Sequence, residues 1–188
     1  MILAFDPSGN FNEGKGTTGW VALDFDGQLL GYGEIDASTA LSLEEHWNTH
    51  LQIIETFKET NPDLIVVCED YMLYANRAAT QINSRFETPK LIGVIQHWCY
   101  MHEVKFHLQT AVSVKKRWPN YILEKKGYIT VNHVSKGDKF YDACYIDSKR
   151  VVDHIVDALR HAVHFYTFQI RKENLGIENL LSQSRSAE

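Results

Sequence analysis

At 188 residues, 44% hydrophobic and 23% charged, the chain fits one compact domain with a sizeable core. No run approaches the roughly 18 apolar residues of a membrane span, and no charged-then-apolar leader opens it. Cys68, Cys99 and Cys144 show no CxxC spacing, so neither a disulfide framework nor a zinc knuckle is indicated and a reducing, cytoplasmic setting is expected. The net charge of −5 is unevenly spread: residues 1–70 hold 2 Lys/Arg against 13 Asp/Glu, whereas residues 71–188 hold 17 against 11. Such a split permits a basic face on an acidic protein.

The chain opens on a short apolar run, Met1 to Phe5, closed by Asp6 and the turn residues Pro7-Ser8-Gly9. A run this dry reads as a strand buried on both faces. Its terminal carboxylate is costly to bury unless something positive receives it, although an Asp in such a place also commonly starts a turn. Within the Gly-rich stretch Pro7–Thr18, residues Gly9, Gly14 and Lys15 match the start of a phosphate-binding loop. Gly16 stands where the hydroxyl belongs and a strand follows instead of a helix, so a flexible loop is expected rather than a nucleotide site. Gly19–Leu23 and Leu29–Gly33 form a hairpin across Asp24-Phe25-Asp26-Gly27. Ser42-Leu43-Glu44-Glu45 is a capping box opening a helix with Leu43, Trp47, Leu51, Ile54 and Phe57 on its apolar face, ended by Asn61-Pro62. Leu64 to Cys68 is a second dry run, closing on Glu69, and reads as a parallel central strand. Asp6 and Glu69 are thereby expected at the C-terminal ends of neighbouring strands, where open α/β sheets bind ligands.

Asp70 to Glu87 is polar and carries Tyr71, Tyr74, Arg77 and Arg85. Thr88-Pro89 is expected to cap a helix to about Met101, with Pro at its first position and a stripe of Leu91, Val94, Ile95 and Trp98 for the core or a partner. Val104–Leu108 reads as a fifth strand, and Thr110–Trp118 as a short helix carrying Lys115, Lys116 and Arg117. Tyr121–Asp147 has no firm assignment. A last helix is expected from near Ser148 to about Arg171, on Val152, Ile155, Leu159, Ala162, Val163 and Tyr166. On it His154 and Asp157 share a face, with His161 a turn further. The fold class is therefore α/β, with residues 1–172 as one domain and 173–188 as a polar tail.

Asp6, Glu69 and Asp157 could supply oxygens, and His154 a nitrogen, to a metal site. Three acids brought together repel one another, which calls for a divalent cation, Mg²⁺ or Mn²⁺ by the hardness of the donors. Two such ions roughly 4 Å apart can activate a water and steady the leaving oxygen in phosphodiester hydrolysis. The plainer alternative leaves His154 and Asp157 facing water on the exposed side of a helix.

The order of strand-end Asp, hairpin, helix, strand-end Glu and a late His-x-x-Asp-Ala helix resembles the ribonuclease H-like nucleases, and within them the RuvC-type Holliday-junction resolvases. The matching stretches are Ala4-Phe5-Asp6-Pro7 with Thr18-Gly19-Trp20, Val67-Cys68-Glu69-Asp70, and His154-Ile155-Val156-Asp157-Ala158-Leu159. The resemblance implies a mixed five-stranded sheet with helices on both faces. It also implies a homodimer that nicks two strands of a four-way DNA junction with two metal ions. On it, Asp6, Glu69, His154 and Asp157 become the metal-binding catalytic residues, and Lys115 or Lys116 the basic residue near the scissile phosphate. Tyr71 and Tyr74 fall where the family inserts a side chain at the opened junction, and stacking on unpaired bases suits Tyr. DNA binding is expected to rest on Lys/Arg between residues 77 and 150, including Arg77, Arg85, Lys115, Lys116 and Arg117, and to weaken as salt rises. The long loop 7–18, the segment 121–147 and the tail depart from the pattern, as in a divergent or phage-type member. Alternatives are the same fold acting on RNA–DNA hybrids or other branched DNA, and a non-catalytic nucleic-acid-binding module. The helix Pro89–Met101 is the expected dimer interface.

Overall fold

A computed structural model describes residues 1–12, 14–72, 86–136 and 139–172. Five strands form the main sheet: β1 (Ile2–Asp6), β2 (Thr17–Leu23), β3 (Leu29–Asp36), β4 (Ile65–Asp70) and β5 (Lys105–Thr110). Their order is β3-β2-β1-β4-β5, with β1 antiparallel to β2 and parallel to β4. The expected turn closes the β2–β3 hairpin: Asp24 Oδ1 accepts from the amides of Asp26 (2.9 Å) and Gln28 (2.7 Å), and Gly27 takes φ +83°. Such a φ is open to glycine at little cost.

The sheet is covered on both faces, which is why β1 and β4 carry no alternation. On one side α1 (Leu43–Thr60) and α2 (Glu87–Met101) pack on Leu3, Phe5, Val66 and Cys68. On the other, α3 (Ala111–Arg117), α4 (Asn120–Lys125) and α5 (Asp153–Phe165, continued by a π-helical turn to Ile170) pack on Ile2, Ala4, Val21, Leu23 and Val67. The capping box of α1 is present in modified form. Ser42 Oγ accepts from the Glu45 amide (3.1 Å), while Glu45 Oε2 takes the Leu41 amide (2.7 Å) instead of that of Ser42. No helix among the described residues is long and apolar enough to cross a membrane.

Three expectations are corrected. Helix α2 begins at Glu87, two residues before Pro89, which sits inside the first turn where no amide partner is needed. Thr88 does not cap it: its Oγ1 accepts from the Gly9 amide (3.0 Å). Helix α5 begins at Asp153 rather than near Ser148, because Lys149–Arg150 form a strand. The described parts of loop 7–18 are tied down. The Ser8 amide donates to Thr18 Oγ1 (3.0 Å), the Asn12 amide donates to the buried Glu87 carboxylate (3.2 Å), and a Cβ on Gly9 would lie 2.2 Å from the Glu87 backbone carbon. These partners lie 75 residues or more from Gly9 and Asn12, out of reach of any local pattern.

The described residues of 121–147 form the end of α4 and an antiparallel ribbon of β6 (Thr130–Lys136) and β7 (Lys139–Ile146), to which β8 (Lys149–Arg150) adds a short third strand. Asp147 and Ser148, at φ 48° and 64°, make the tight turn between β7 and β8.

Loop 7–18 is also held from below by α1. His50, fully buried, donates from Nδ1 to the His46 carbonyl (2.7 Å) and accepts at Nε2 from Thr18 Oγ1 (2.9 Å). Burial pulls its imidazole down to about 3. The unfolded chain therefore binds a proton that the folded chain refuses. Stability supplied by neutral His50 is complete above about pH 6.5 and is lost as pH falls towards 3, at roughly 1.4 kcal/mol per pH unit. Urea unfolding at pH 7.5 and pH 5.5 should show a drop for wild type that His50→Gln largely lacks. Equal drops in the two proteins would disprove this role for His50.

Candidate active site

Phe5 and Cys68 are partners across the parallel β1–β4 pair, so the next residues, Asp6 and Glu69, stand side by side at the same end of the sheet. Strand alternation puts them on the face of Ile2, Ala4, Ile65 and Val67, which is the face covered by α5. Helix α5 rests directly on β2. A Cβ on Gly19 would fall 2.1 Å from both the carbonyl carbon and the oxygen of His154, so only glycine admits this crossing. Backbone contact at that point brings the polar face of α5, with His154, Asp157 and His161 one turn apart, down onto the strand-end carboxylates.

The polar groups then pair. His154 Nδ1 donates to Asp6 Oδ2 (2.6 Å). Fully buried His161 donates from Nε2 to Glu69 Oε2 (3.0 Å) and hydrogen-bonds Gln109 Oε1 of β5 through Nδ1 (2.9 Å). Lys115 Nζ, from α3, lies 2.8 Å from Asp157 Oδ2 and 3.7 Å from Glu69 Oε2. Arg160 donates to Asp157 Oδ1, to the Trp118 carbonyl (2.9 Å) and to Asn120 Oδ1.

The electrostatics follow from crowding acids at a dry sheet end. Burial pushes the Asp6 carboxyl above its usual range; the His154 hydrogen bond opposes this, and the charges of Glu69 and Asp157 add to it. The His154 imidazole is held above its ordinary value chiefly by the hydrogen bond to Asp6, against partial burial. Burial alone would lower Lys115, but the Asp157 hydrogen bond and the charges of Asp157, Glu69 and Asp6 win and raise it. Beside these groups a cleft of about 230 Å³ is lined by Asp6, Ser8, Glu69, Tyr71, Thr88 and His154, among others.

The structure thus brings together Asp6 of β1, Glu69 of β4, Lys115 of α3, and His154 and Asp157 of α5. Tyr71 lines the cleft, and among the described residues its buried hydroxyl has no hydrogen-bond partner. Lys116 and Arg117 are exposed on α3, with the Arg117 guanidinium 4.5 Å from the Phe168 ring centre. Tyr74, Arg77, Arg85 and the tail lie outside the described residues. Among the described residues no three His, Cys, Asp or Glu side chains are grouped closely enough to hold a metal ion. The acids are instead engaged one by one, by His154, by His161 with Lys115, and by Lys115 with Arg160. The donor chemistry nonetheless fits a hard divalent cation: the charges of Glu69 and Asp157 act on a buried Asp6 that already resists ionising, and positive charge entering the cleft would offset all three.

Arg160, His161, Gln109 and Asn120 are site residues absent from the expected set. For His161 the signal was available, since it follows His154 and Asp157 at i+7 and i+4 on one helix face. For Gln109 and Asn120 there was none, because each reaches the site only through tertiary packing.

No family model and no curated protein matches this sequence. Among solved structures, Thermus thermophilus RuvC in complex with a Holliday junction substrate is similar, at 16% identity and a TM-score of 0.55 over 88% of this chain and 92% of that one. A second Thermus thermophilus RuvC structure matches at 16% identity and a TM-score of 0.52, over 88% and 94% of the two chains. With the strand order β3-β2-β1-β4-β5 and helices on both faces, this chain has the ribonuclease H-like α/β fold in its RuvC-type form.

Proposed function

We propose that the protein is a divalent-metal-dependent endonuclease that resolves four-way DNA junctions by paired nicks, working as a homodimer. The observation that carries this reading is the meeting of Asp6, Glu69 and Asp157, from β1, β4 and α5, beside His154 and Lys115 at one end of the sheet. Asp6, Glu69, Asp157 and His154 would hold Mg²⁺ or Mn²⁺, two ions per site. Bound there, the ions supply an activated water and stabilise the leaving oxygen. The chain's own groups prepare that chemistry. Donation from His154 Nδ1 to Asp6 fixes the ring and leaves Nε2 as its remaining donor atom for a ligand. Lys115, exposed on α3, is placed on the flank of Glu69 and Asp157 to meet a phosphate oxygen. The similar RuvC was solved with a Holliday junction substrate, which supports this substrate class.

A substrate with two-fold symmetry calls for a two-fold enzyme. The face suited to pairing is the apolar groove between α1 and α2, lined by Trp47, Leu51, Val94, Trp98 and Met101. Gly93 in its lining is exposed, and a Cβ there would meet no described residue within 4 Å.

The deciding experiment compares cleavage of a synthetic four-way junction, a linear duplex and an RNA–DNA hybrid in Mg²⁺ or Mn²⁺, for wild type and Asp157→Asn. Paired symmetric nicks in the junction are expected, lost in the variant by about a thousand-fold. Cutting of the hybrid alone would retain the nuclease and discard the resolvase. Binding of junctions without any cutting would leave a non-catalytic module.

A further inference from the structure

Among its described residues, the β6–β7 ribbon packs on the body at its base. At its base Ala143, Cys144 and Ile146 are buried, whereas Asn132, His133, Ser135, Phe140, Tyr141 and Asp142 are exposed. Phe140 and Tyr141 are adjacent on β7 and so point to opposite faces, yet both are open to solvent, Phe140 at 84%. A two-stranded ribbon exposed on both sides is marginal by itself, and large aromatics at its outer end are costly in water unless something covers them.

Register shows where that outer end goes. β8 runs towards the N-terminus of α5, and β7 pairs with it antiparallel, Tyr145 opposite Arg150. The Val151 amide donates to the Cys144 carbonyl (3.0 Å), so Cys144 is level with a residue three before His154. Followed back from Cys144 to Phe140, β7 continues in the direction in which β8 approaches the site, for about 13 Å at 3.3 Å per residue. The middle of the ribbon is linked to the site by side chains: Asn120 donates to Asp142 Oδ2 (3.0 Å) and accepts from Arg160, which holds Asp157. Charge selects the partner. Between residues 115 and 150, Lys and Arg outnumber Asp and Glu by nine to four, with Lys149 and Arg150 exposed at the base of the ribbon. Exposed aromatics within a basic surface suit nucleic acid, which offers base faces and phosphates together.

We propose that the outer end of the β6–β7 ribbon is a second DNA contact that reaches the branch point, with Phe140 stacking on an unpaired base. The assignment rests on the junction-resolvase reading above. It gives the enzyme a branch-sensing side chain on an element remote in sequence from Tyr71.

The test measures binding by the Asp157→Asn protein, with and without Phe140→Ala. The ligands are a four-way junction carrying 2-aminopurine at the branch and a linear duplex of equal length. Phe140 is so exposed that its truncation leaves no cavity, and circular dichroism checks the fold. Expected is a loss of about ten-fold or more in junction affinity, no change on the duplex, and loss of the 2-aminopurine response. Phe140→Trp should restore both. A parent that prefers the junction, with Phe140→Ala binding just as tightly and giving the same fluorescence, would overturn the ribbon contact alone. Equal losses on junction and duplex would overturn stacking at the branch. A parent with no preference for the junction would overturn the resolvase reading and this contact with it.

Discussion

Asp6→Asn is expected to lower junction cleavage by about a thousand-fold or more while leaving the protein at least as stable as wild type. Asp6 is 8% exposed, and its ionised form is opposed by burial and by the charges of Glu69 and Asp157. A carboxylate whose folded-state pKa lies above its unfolded value subtracts stability at neutral pH, and that penalty fades as pH falls through the folded value. An amide removes the charge, and its Oδ1 can still accept from His154 Nδ1. The same change deletes a hard anionic donor, and metal-borne stabilisation of the transition state is worth several kcal/mol, hence the thousand-fold. Single-turnover cleavage and urea unfolding at pH 7.5 measure the two effects separately. A variant that cuts within ten-fold of wild type would remove Asp6 from the chemistry. A variant clearly less stable would mean that the His154–Asp6 pair outweighs the burial penalty.

Gly19→Ala is expected to act in the opposite sense on stability and in the same sense on activity. The new methyl would lie 2.1 Å from the His154 carbonyl carbon and oxygen, where neither backbone can yield cheaply. Helix α5 must then lift from β2, costing about 3 kcal/mol by the measure of overpacked cores, or roughly 6–12 °C in Tm for a chain of this size. The helix carries both His154 and Asp157, so lifting it also spoils their approach to Asp6 and Glu69. A displacement of about 1 Å is enough for a hundred-fold loss of rate. Thermal unfolding and cleavage together check this. Wild-type values in both would show that strand and helix can separate without consequence for the site.

What could be read from the chain and what could not divides by distance along it. Met1–Phe5 and Leu64–Cys68 announced central strands because dry runs need cover on both faces, and this alone placed Asp6 and Glu69 at strand ends. Helical spacing put His154 and Asp157 on one face of α5, and Asp24-x-Asp-Gly marked its hairpin through local hydrogen bonds. Each of these signals is a repeat or a contact within a few residues, and the side chains involved are dictated by local backbone geometry. Loop 7–18 read as flexible because its anchors, Glu87, Thr88 and the buried His50, lie on other elements. The ribbon at 130–146 gave no period-2 pattern because its base is buried while its outer end is exposed on both faces. Glu69 meets His161 across 92 residues, and Arg160 meets Asn120 across 40. Such pairs depend on strand register and on how closely α5 can cross β2, a distance that the missing side chain of Gly19 sets. The amino-acid order by itself therefore determined the elements and the carboxylates at their ends. Tertiary structure decided which cation or imidazole each carboxylate faces, since that follows from packing distances that no local pattern encodes.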